Sequence, residues 1–174
     1  RRPEAGKIPM SRATCVVSPD ALGGAVVELT GDLFHHLFHV RRLAVGDELR
    51  LVDGRGTARS GRIEEVTARR AVVRLGEPAA SGEADLRLEL WVAAPRPQRA
   101  AWLVEKATEV GVSAVRWIET ERGGREITPS RLERLHRVAA AAVEQAHRSR
   151  LPQISGPIAW NEVADRLAAT DSAW

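Results

Sequence analysis

The chain has 174 residues, 44% of them hydrophobic, which is enough to bury the core of one medium domain or two small ones. Cys15 is the only cysteine, which excludes an intramolecular disulfide and a CxxC metal site. No apolar run approaches membrane-spanning length, so we expect a cytoplasmic protein with no membrane partner. The net charge is +3, and only Lys7 and Lys106 among the 26 basic residues are lysines. Arginine suits phosphates and stacks on bases, so this bias permits nucleic-acid binding, although arginine-favouring codon usage explains it equally well.

The first part of the chain, residues 10–77, contains short apolar and β-branched runs separated by Gly and Pro. These runs predict strands over residues 13–17, 25–29, 48–52, 57–66 and 71–75. Between the second and third strands a helix is predicted over residues 30–43, where Asp32 can act as the cap. Several short strands at close spacing are typical of a small β-barrel.

Residues 78–85 have the composition of a linker, and residues 86–174 follow a different pattern. Strands are predicted over residues 86–93, 113–118 and 154–158, and helices over residues 97–111, 128–148 and 161–167. The sequence Thr128-Pro129 provides an N-cap followed by proline at the first helical position. Because strands and helices alternate, we expect an α/β domain with a mainly parallel sheet, and an α+β chain overall.

Two helices carry candidate functional side chains. In the helix over residues 97–111, Leu103, Ala107 and Val110 are predicted to face the sheet. Trp102, Lys106 and Glu109 then either form a solvated outer face or contribute to a site. The polar face of the long helix has the same two interpretations, a solvated face or a site, and it contains Arg131, Arg134, Arg137, Glu144, Gln145 and Arg148.

Basic residues also follow the ends of two predicted strands. Arg96 and Arg99 follow the strand over residues 86–93, and Arg122 follows the strand over residues 113–118. Ligand sites in open α/β sheets gather at the carboxyl ends of strands, so these arginines are candidate phosphate contacts. The alternative is that they are ordinary loop arginines.

The histidines of the first part do not predict a metal site. His35 and His39 are four residues apart, but no third ligand and no HExxH pattern accompany them. Arg41 and Arg42 follow directly, so an RNA-facing basic edge is the better functional interpretation. The sequence contains no P-loop, no GxGxxG and no GxSxG motif.

Taken in chain order, several motifs resemble one known family. They are His36-x-x-x-Val40-Arg41-Arg42, Val45-Gly46-Asp47-Glu48, Asp53-Gly54-x-Gly56, Ala94-Pro95 with Arg99, Glu105-Lys106-Ala107-Thr108-Glu109-Val110-Gly111-Val112, Glu121-Arg122, and Glu144-Gln145-x-x-Arg148 before Leu151-Pro152. This order resembles the RsmE family of 16S ribosomal RNA uracil-N3 methyltransferases, which belong to the SPOUT superfamily. The resemblance covers about residues 12–168.

The resemblance implies a PUA-like RNA-binding barrel followed by a SPOUT-type α/β domain with a trefoil knot. It implies a homodimer that uses S-adenosyl-L-methionine to methylate N3 of one uridine in the 16S rRNA of the small ribosomal subunit. By position, the catalytic candidates are Arg122, Glu144 and Arg148. The RNA-contacting candidates are Arg41, Arg42, Arg99, Lys106, Glu109 and Gln145.

The implied chemistry requires N3 of uridine to lose a proton before it attacks a methyl group. A cation such as Arg122 or Arg148 would stabilise the developing anion. Glu144 would act as the base, or more modestly would orient Arg148.

One departure from the family concerns the methyl donor. Family members continue into glycine-rich and leucine-rich loops that form the knot and hold the donor, whereas this sequence stops at Trp174. We therefore expect the cofactor-binding residues beyond Trp174. Two alternatives to the methyltransferase stay open: a non-catalytic RNA-binding module of the same fold, and an unrelated small-molecule α/β enzyme with an appended barrel.

Overall fold

A computed structural model of the chain describes residues 13–120 and 127–168. The chain divides after Ala80 into two compact units, which are described separately below. Within the described ranges, no helix is both long enough and apolar enough to cross a bilayer.

The first unit is a five-stranded sheet with the order β1-β3-β4-β5-β2. Its strands are β1 (Ala13–Val16), β2 (Val26–Thr30), β3 (Glu48–Val52), β4 (Ala58–Val66) and β5 (Arg70–Pro78). β1 pairs with β3 in parallel, and the other pairs are antiparallel. The sheet curls into a half-barrel, so the predicted small-barrel fold class is confirmed.

Helical segments connect these strands. A 3-10 turn (Pro19–Gly23) precedes β2, and helix α1 (Gly31–Phe34) follows it. α1 continues as a π-helix over His35–Val40, which the helical spacing of Leu33, Leu37 and Val40 did not predict. Leu37 is fully buried by this segment, whereas Val40 is exposed.

The core of the first unit lies on one face of the sheet. Alternate residues of β3 and β4 point inward, as the period of two requires, and Leu49, Leu51 and Ile63 are almost completely buried. Gly61 of β4 lies between them, and a Cβ atom there would come closer than 3.0 Å to Leu51 Cδ1 and Val73 Cγ1. Glycine at this position therefore lets β4 lie directly against the core.

The second unit is a three-stranded parallel sheet with the order β6-β7-β8. Its elements are β6 (Glu89–Ala93), α2 (Pro97–Glu109), β7 (Ala114–Glu119), α3 (Pro129–Gln145), β8 (Gln153–Ala159) and α4 (Trp160–Ala168). Their alternation confirms the predicted α/β class. The core between sheet and helices includes Val104, Val115, Trp117, Leu135 and Ala139.

Three local predictions in the second unit are wrong. β6 begins at Glu89 rather than at residue 86, and Leu86 and Leu88 are exposed because they precede the paired strand. The buried face of α2 contains Ala100, Val104, Ala107 and Thr108, whereas Val110 is 77% exposed. Asn161 lies inside α4, which begins one residue earlier.

The start of α3 follows its prediction. The Thr128 side chain accepts a hydrogen bond from the amide of Arg131 at 3.3 Å, and Pro129 occupies the first helical position.

We expect Gly61→Ala to lower the free energy of unfolding by about 1–3 kcal/mol, because the added methyl group overpacks the core beside Leu51 and Val73. Gly23→Ala is the matched control, since a Cβ atom at Gly23 meets nothing within 4 Å. Urea denaturation of both variants measures the difference. Equal stability of the two would contradict this packing argument.

Candidate functional site

The end of α3 is shaped by a tight turn that buries Arg148. His147 has a left-handed backbone conformation with φ of 54°, and the amide of Arg148 donates to the carbonyl of Val143 at 3.0 Å. Arg148 is only 8% exposed. The turn therefore directs a charged side chain into the unit instead of toward solvent.

The Arg148 guanidinium joins two other segments. Its Nη2 donates to Glu83 Oε2 at 2.7 Å, and its Nε donates to the same oxygen at 3.3 Å. Its Nη1 donates to the carbonyl oxygens of Thr108 at 2.8 Å and Val112 at 3.4 Å. These carbonyls lie at and just beyond the end of α2, where helix carbonyls lack partners within the helix.

Glu83 receives further hydrogen bonds from the chain after Arg148. Its Oε1 accepts from the backbone amides of Ser149 at 2.7 Å and Arg150 at 2.9 Å. Burial by itself would raise the pKa of Glu83, but the hydrogen bond from Arg148, the two amides and the charge of Arg148 outweigh it and lower that pKa. Glu83 is thus an ionised carboxylate that fixes the turn after α3.

These contacts bear on Arg148, one of the predicted catalytic residues. Arg148 lies within a hydrogen-bonded cluster, so the geometry favours a positioning role over direct contact with a substrate. Its predicted catalytic role stays a prediction. Arg122 lies outside the described residues.

The other candidates of α3 occupy its last turn. Glu144 is half-buried, and Gln145, the last residue of the helix, is exposed. The cluster around Glu83 therefore holds the segment that immediately follows both of them. Their predicted roles as base and RNA contact stay predictions.

Lys106 of α2 lies between two carboxylates. Its Nζ is 2.8 Å from Glu105 Oε1 and 2.8 Å from Glu109 Oε1. The hydrogen bonds that Lys106 donates, first to Glu105 and then to Glu109, raise the pKa of Lys106. Lys106 and Glu109, both predicted to contact RNA, are thus partners of each other in a group of one lysine and two carboxylates.

A second group of arginines surrounds the beginning of α2. Arg131 of α3 donates from Nη2 to the carbonyl of Pro95 at 2.5 Å, which ties the start of α3 to the loop before α2. Next to this contact is an open depression of about 370 Å³. The residues that line it are Arg96, Pro97, Gln98 and Arg134. Arg99 is exposed on the first turn of α2.

The basic pair of the first unit lies at the end of the π-helix. Arg41 and Arg42 are both exposed, and Arg42 has a left-handed backbone with φ of 58°. The rings of His35 and His39 lie 5.0 Å apart. Among residues 13–120 and 127–168, no three or more His, Cys, Asp or Glu side chains are grouped so that they could hold a metal ion.

Sequence reasoning missed Glu83, which lies in the segment assigned to a linker. Its Gly- and Ala-rich surroundings give no periodicity that would indicate burial. Arg87 lies four residues after Glu83, so the local spacing suggests an ordinary partner and does not point to Arg148.

We expect Glu83→Gln to lower the free energy of unfolding at pH 7 by about 3–5 kcal/mol, because it leaves the buried Arg148 without a counter-charge. The pKa of Glu83 is lowered from its ordinary value of 4.5, so its contribution is present above that value and is lost as the pH falls through the lowered pKa. The difference between wild type and variant should therefore shrink in acid. Urea denaturation of both proteins at about four pH values between pH 3 and 7 measures this difference in the free energy of unfolding.

The control for this experiment is Glu162→Gln. Glu162 forms an ion pair with Arg166 on the surface of α4, where both side chains are about half exposed. Removal of such a pair changes stability by less than about 1 kcal/mol. A loss in Glu83→Gln no larger than in this control would show that the buried pair does not stabilise the fold.

Comparison with known families gives two matches that follow the two units. The model described as RNA methyltransferase PUA domain matches residues 29–76. The model described as RNA methyltransferase domain matches residues 82–173.

Individual proteins are similar to this chain over most of its length. The ribosomal RNA small subunit methyltransferase E of Synechocystis sp. is 27% identical over 157 residues, which are 90% of this chain and 52% of that protein. A crystal structure of a probable rRNA-methyltransferase from Porphyromonas gingivalis matches with a TM-score of 0.75 and 27% identity, over 92% of this chain and 64% of that one. The structure of a ribosomal RNA small subunit methyltransferase E from Neisseria gonorrhoeae bound to S-adenosyl methionine matches with a TM-score of 0.78 and 23% identity, over 90% and 65%.

The chain thus spans about half the length of the Synechocystis relative, 52%. The match of the RNA methyltransferase domain covers residues 82–173, more than half of the chain. On this match, and with the PUA domain before it, the chain belongs to the RNA methyltransferase family, and the RsmE-type resemblance seen in its motifs is confirmed.

Proposed function

We propose that the protein takes part in the methylation of small-subunit ribosomal RNA at N3 of a uridine, with S-adenosyl-L-methionine as the methyl donor. The observation that carries this proposal is that the unit matching an RNA methyltransferase domain presents an arginine-lined depression beside α2. Guanidinium side chains bind phosphate groups through two parallel hydrogen bonds. The relatives named above are methyltransferases of ribosomal RNA, and the rRNA substrate is taken from them.

The partner we propose is 16S rRNA within the small ribosomal subunit. Exposed arginines of both units support an RNA partner: Arg41 and Arg42 in the first, Arg99 in the second. Lys106 is a weaker candidate, because Glu105 and Glu109 already balance its charge. Assembly as a homodimer is proposed by analogy with the family.

The methyl donor does not fit the depression beside α2. Its sulfonium centre is cationic, and Arg96 and Arg134 in the lining would repel it. The lining also offers no apolar wall wide enough for an adenine ring beyond Pro97. We therefore do not assign this depression to the donor.

The proposed chemistry assigns Glu144 to the proton on uridine N3. A carboxylate within hydrogen-bond reach of N3–H can accept that proton, and a nearby cation stabilises the resulting anion. Arg122 is the candidate cation. Arg148 is better suited to hold the turn that follows Glu144, because its guanidinium is bonded to Glu83 and to the carbonyls beyond α2.

The test uses small ribosomal subunits that lack the modification, incubated with the protein and S-adenosylmethionine carrying a labelled methyl group. Mass spectrometry of the digested rRNA should find the label in 3-methyluridine. Label in another nucleoside would refute the N3 assignment. Binding of the subunit without any methyl transfer would favour the alternative, an RNA-binding module of the same fold.

We expect Glu144→Gln to reduce the rate of methyl transfer at least about 100-fold, because the amide cannot accept the N3 proton. The affinity for the subunit should stay unchanged. Glu133→Gln, an exposed carboxylate on the same helix, is the matched control and should retain the wild-type rate. An equal rate for both variants would remove Glu144 from the mechanism.

A further inference from the structure

We propose that the second unit binds single-stranded RNA beside α2, with a backbone phosphate between Arg96 and Arg134 and a neighbouring base stacked on Trp102. The proposal rests on the proposed function in taking RNA as the ligand. It adds a location where Arg96 and Arg134 line one depression, Trp102 as a base contact, and a preference for unpaired nucleotides.

The phosphate position is defined by two elements. Arg96 precedes the first turn of α2 and Arg134 lies in the second turn of α3, and both line the same depression. The contact between Arg131 and the Pro95 carbonyl holds these elements together. Arg134 follows Arg131 by three residues and so lies on the same side of α3. The two guanidinium groups therefore border one depression, next to the hydrogen bond that joins α3 to the loop before α2.

The charge of this region is not compensated by an ion pair within the described residues. Arg70, Arg74, Arg116 and Lys106 each lie within 4.0 Å of a carboxylate. In the part of the chain that the structure describes, Arg96, Arg99 and Arg134 have no such ion pair, and no carboxylate lines the depression. The guanidinium groups are thus available for a phosphodiester, which they can bind through two parallel hydrogen bonds.

Trp102 provides the base-binding part of the proposed surface. It is 63% exposed, although tryptophan is the largest apolar side chain. It lies on α2 three residues after Arg99, about 5–6 Å away between Cβ atoms. An exposed indole beside arginines is the combination with which proteins bind single strands, since a base can stack on the ring while the phosphate is held by the cation. A base within a duplex cannot reach such a ring without leaving its stack.

Charge also distinguishes RNA from a second copy of the chain as the occupant. The chain carries a net charge of +3, and a copy that covered Trp102 would bring the same arginines close to one another. A polyanion instead gains from each of them. RNA is therefore the occupant to which we commit.

In the experiment, a fluorescein-labelled single-stranded RNA of about 12 nucleotides is titrated with the intact chain at several salt concentrations. No methyl donor is added. We expect Arg96→Ala and Arg134→Ala each to weaken binding and to reduce the slope of log affinity against log salt by about 1. Arg87→Ala, an exposed arginine of the same unit, is the matched control and should leave both quantities unchanged.

Trp102→Ala should weaken binding about 5- to 150-fold with no change in the salt slope, whereas Trp102→Phe should retain most of the affinity. Trp160→Ala is the control, because Trp160 is 62% exposed but lies on α4, which does not line the depression. Affinity for a 12-base-pair RNA duplex should not respond to Trp102→Ala. Circular dichroism of each variant verifies the fold.

Two results would overturn the proposal: salt slopes unchanged in both arginine variants, or an affinity for the single strand unchanged in Trp102→Ala. A sedimentation coefficient that falls in Trp102→Ala with RNA affinity unchanged would identify the surface as an interface between copies.

Because RNA binding is measured without methyl donor, the proposed binding surface is tested independently of methyl transfer. Methylation at the wild-type rate in all these variants, with unaltered RNA affinity, would refute this surface and leave the proposed function intact.

Discussion

The ion pair between Glu83 and Arg148 joins three segments of the second unit that are far apart in sequence: the stretch before β6, the end of α2 and the turn after α3. Each partner also forms hydrogen bonds with backbone groups at or beyond a helix end. The Arg148 guanidinium donates hydrogen bonds to carbonyl oxygens at and beyond the end of α2, and the Glu83 carboxylate accepts hydrogen bonds from two backbone amides after α3. Such a pair is not strongly stabilising relative to a well-packed apolar substitute, but the loss of one partner leaves a buried charge. The path of the chain around α2 and α3 therefore depends on both side chains together.

This dependence connects the fold to the candidate chemistry. Glu144 and Gln145 form the last turn of α3, and the turn held by Glu83 follows them directly. Arg148 would then affect methyl transfer through the placement of its neighbours. At the other end of the same two helices, the contact from Arg131 to Pro95 sets the distance between Arg96 and Arg134. The packing of α2 on α3 is thus fixed near both ends by arginines that bind backbone carbonyls.

Much of this arrangement could be predicted from the sequence, because its signals are local. The alternation in Glu48–Val52 predicted β3, and Thr128 with Pro129 predicted the start of α3. Leu86 and Leu88 misled the prediction because alternation does not reveal where a partner strand ends. Glu83 was missed since its partners lie 65 to 67 residues away. The depression likewise depends on the packing of two helices, so the sequence could suggest Arg96 and Arg134 separately but could not predict that they line one surface.

The arginines around the depression have a chemical consequence that lysines in the same places would not have. A guanidinium keeps its proton throughout the physiological pH range, and it is not a substrate for acetylation. Lys106, the one lysine in the described part of the chain, is already engaged with Glu105 and Glu109. The polyanion affinity that we propose for this surface would thus not depend on deprotonation or acetylation of Arg96 and Arg134, and it would respond to ionic strength instead.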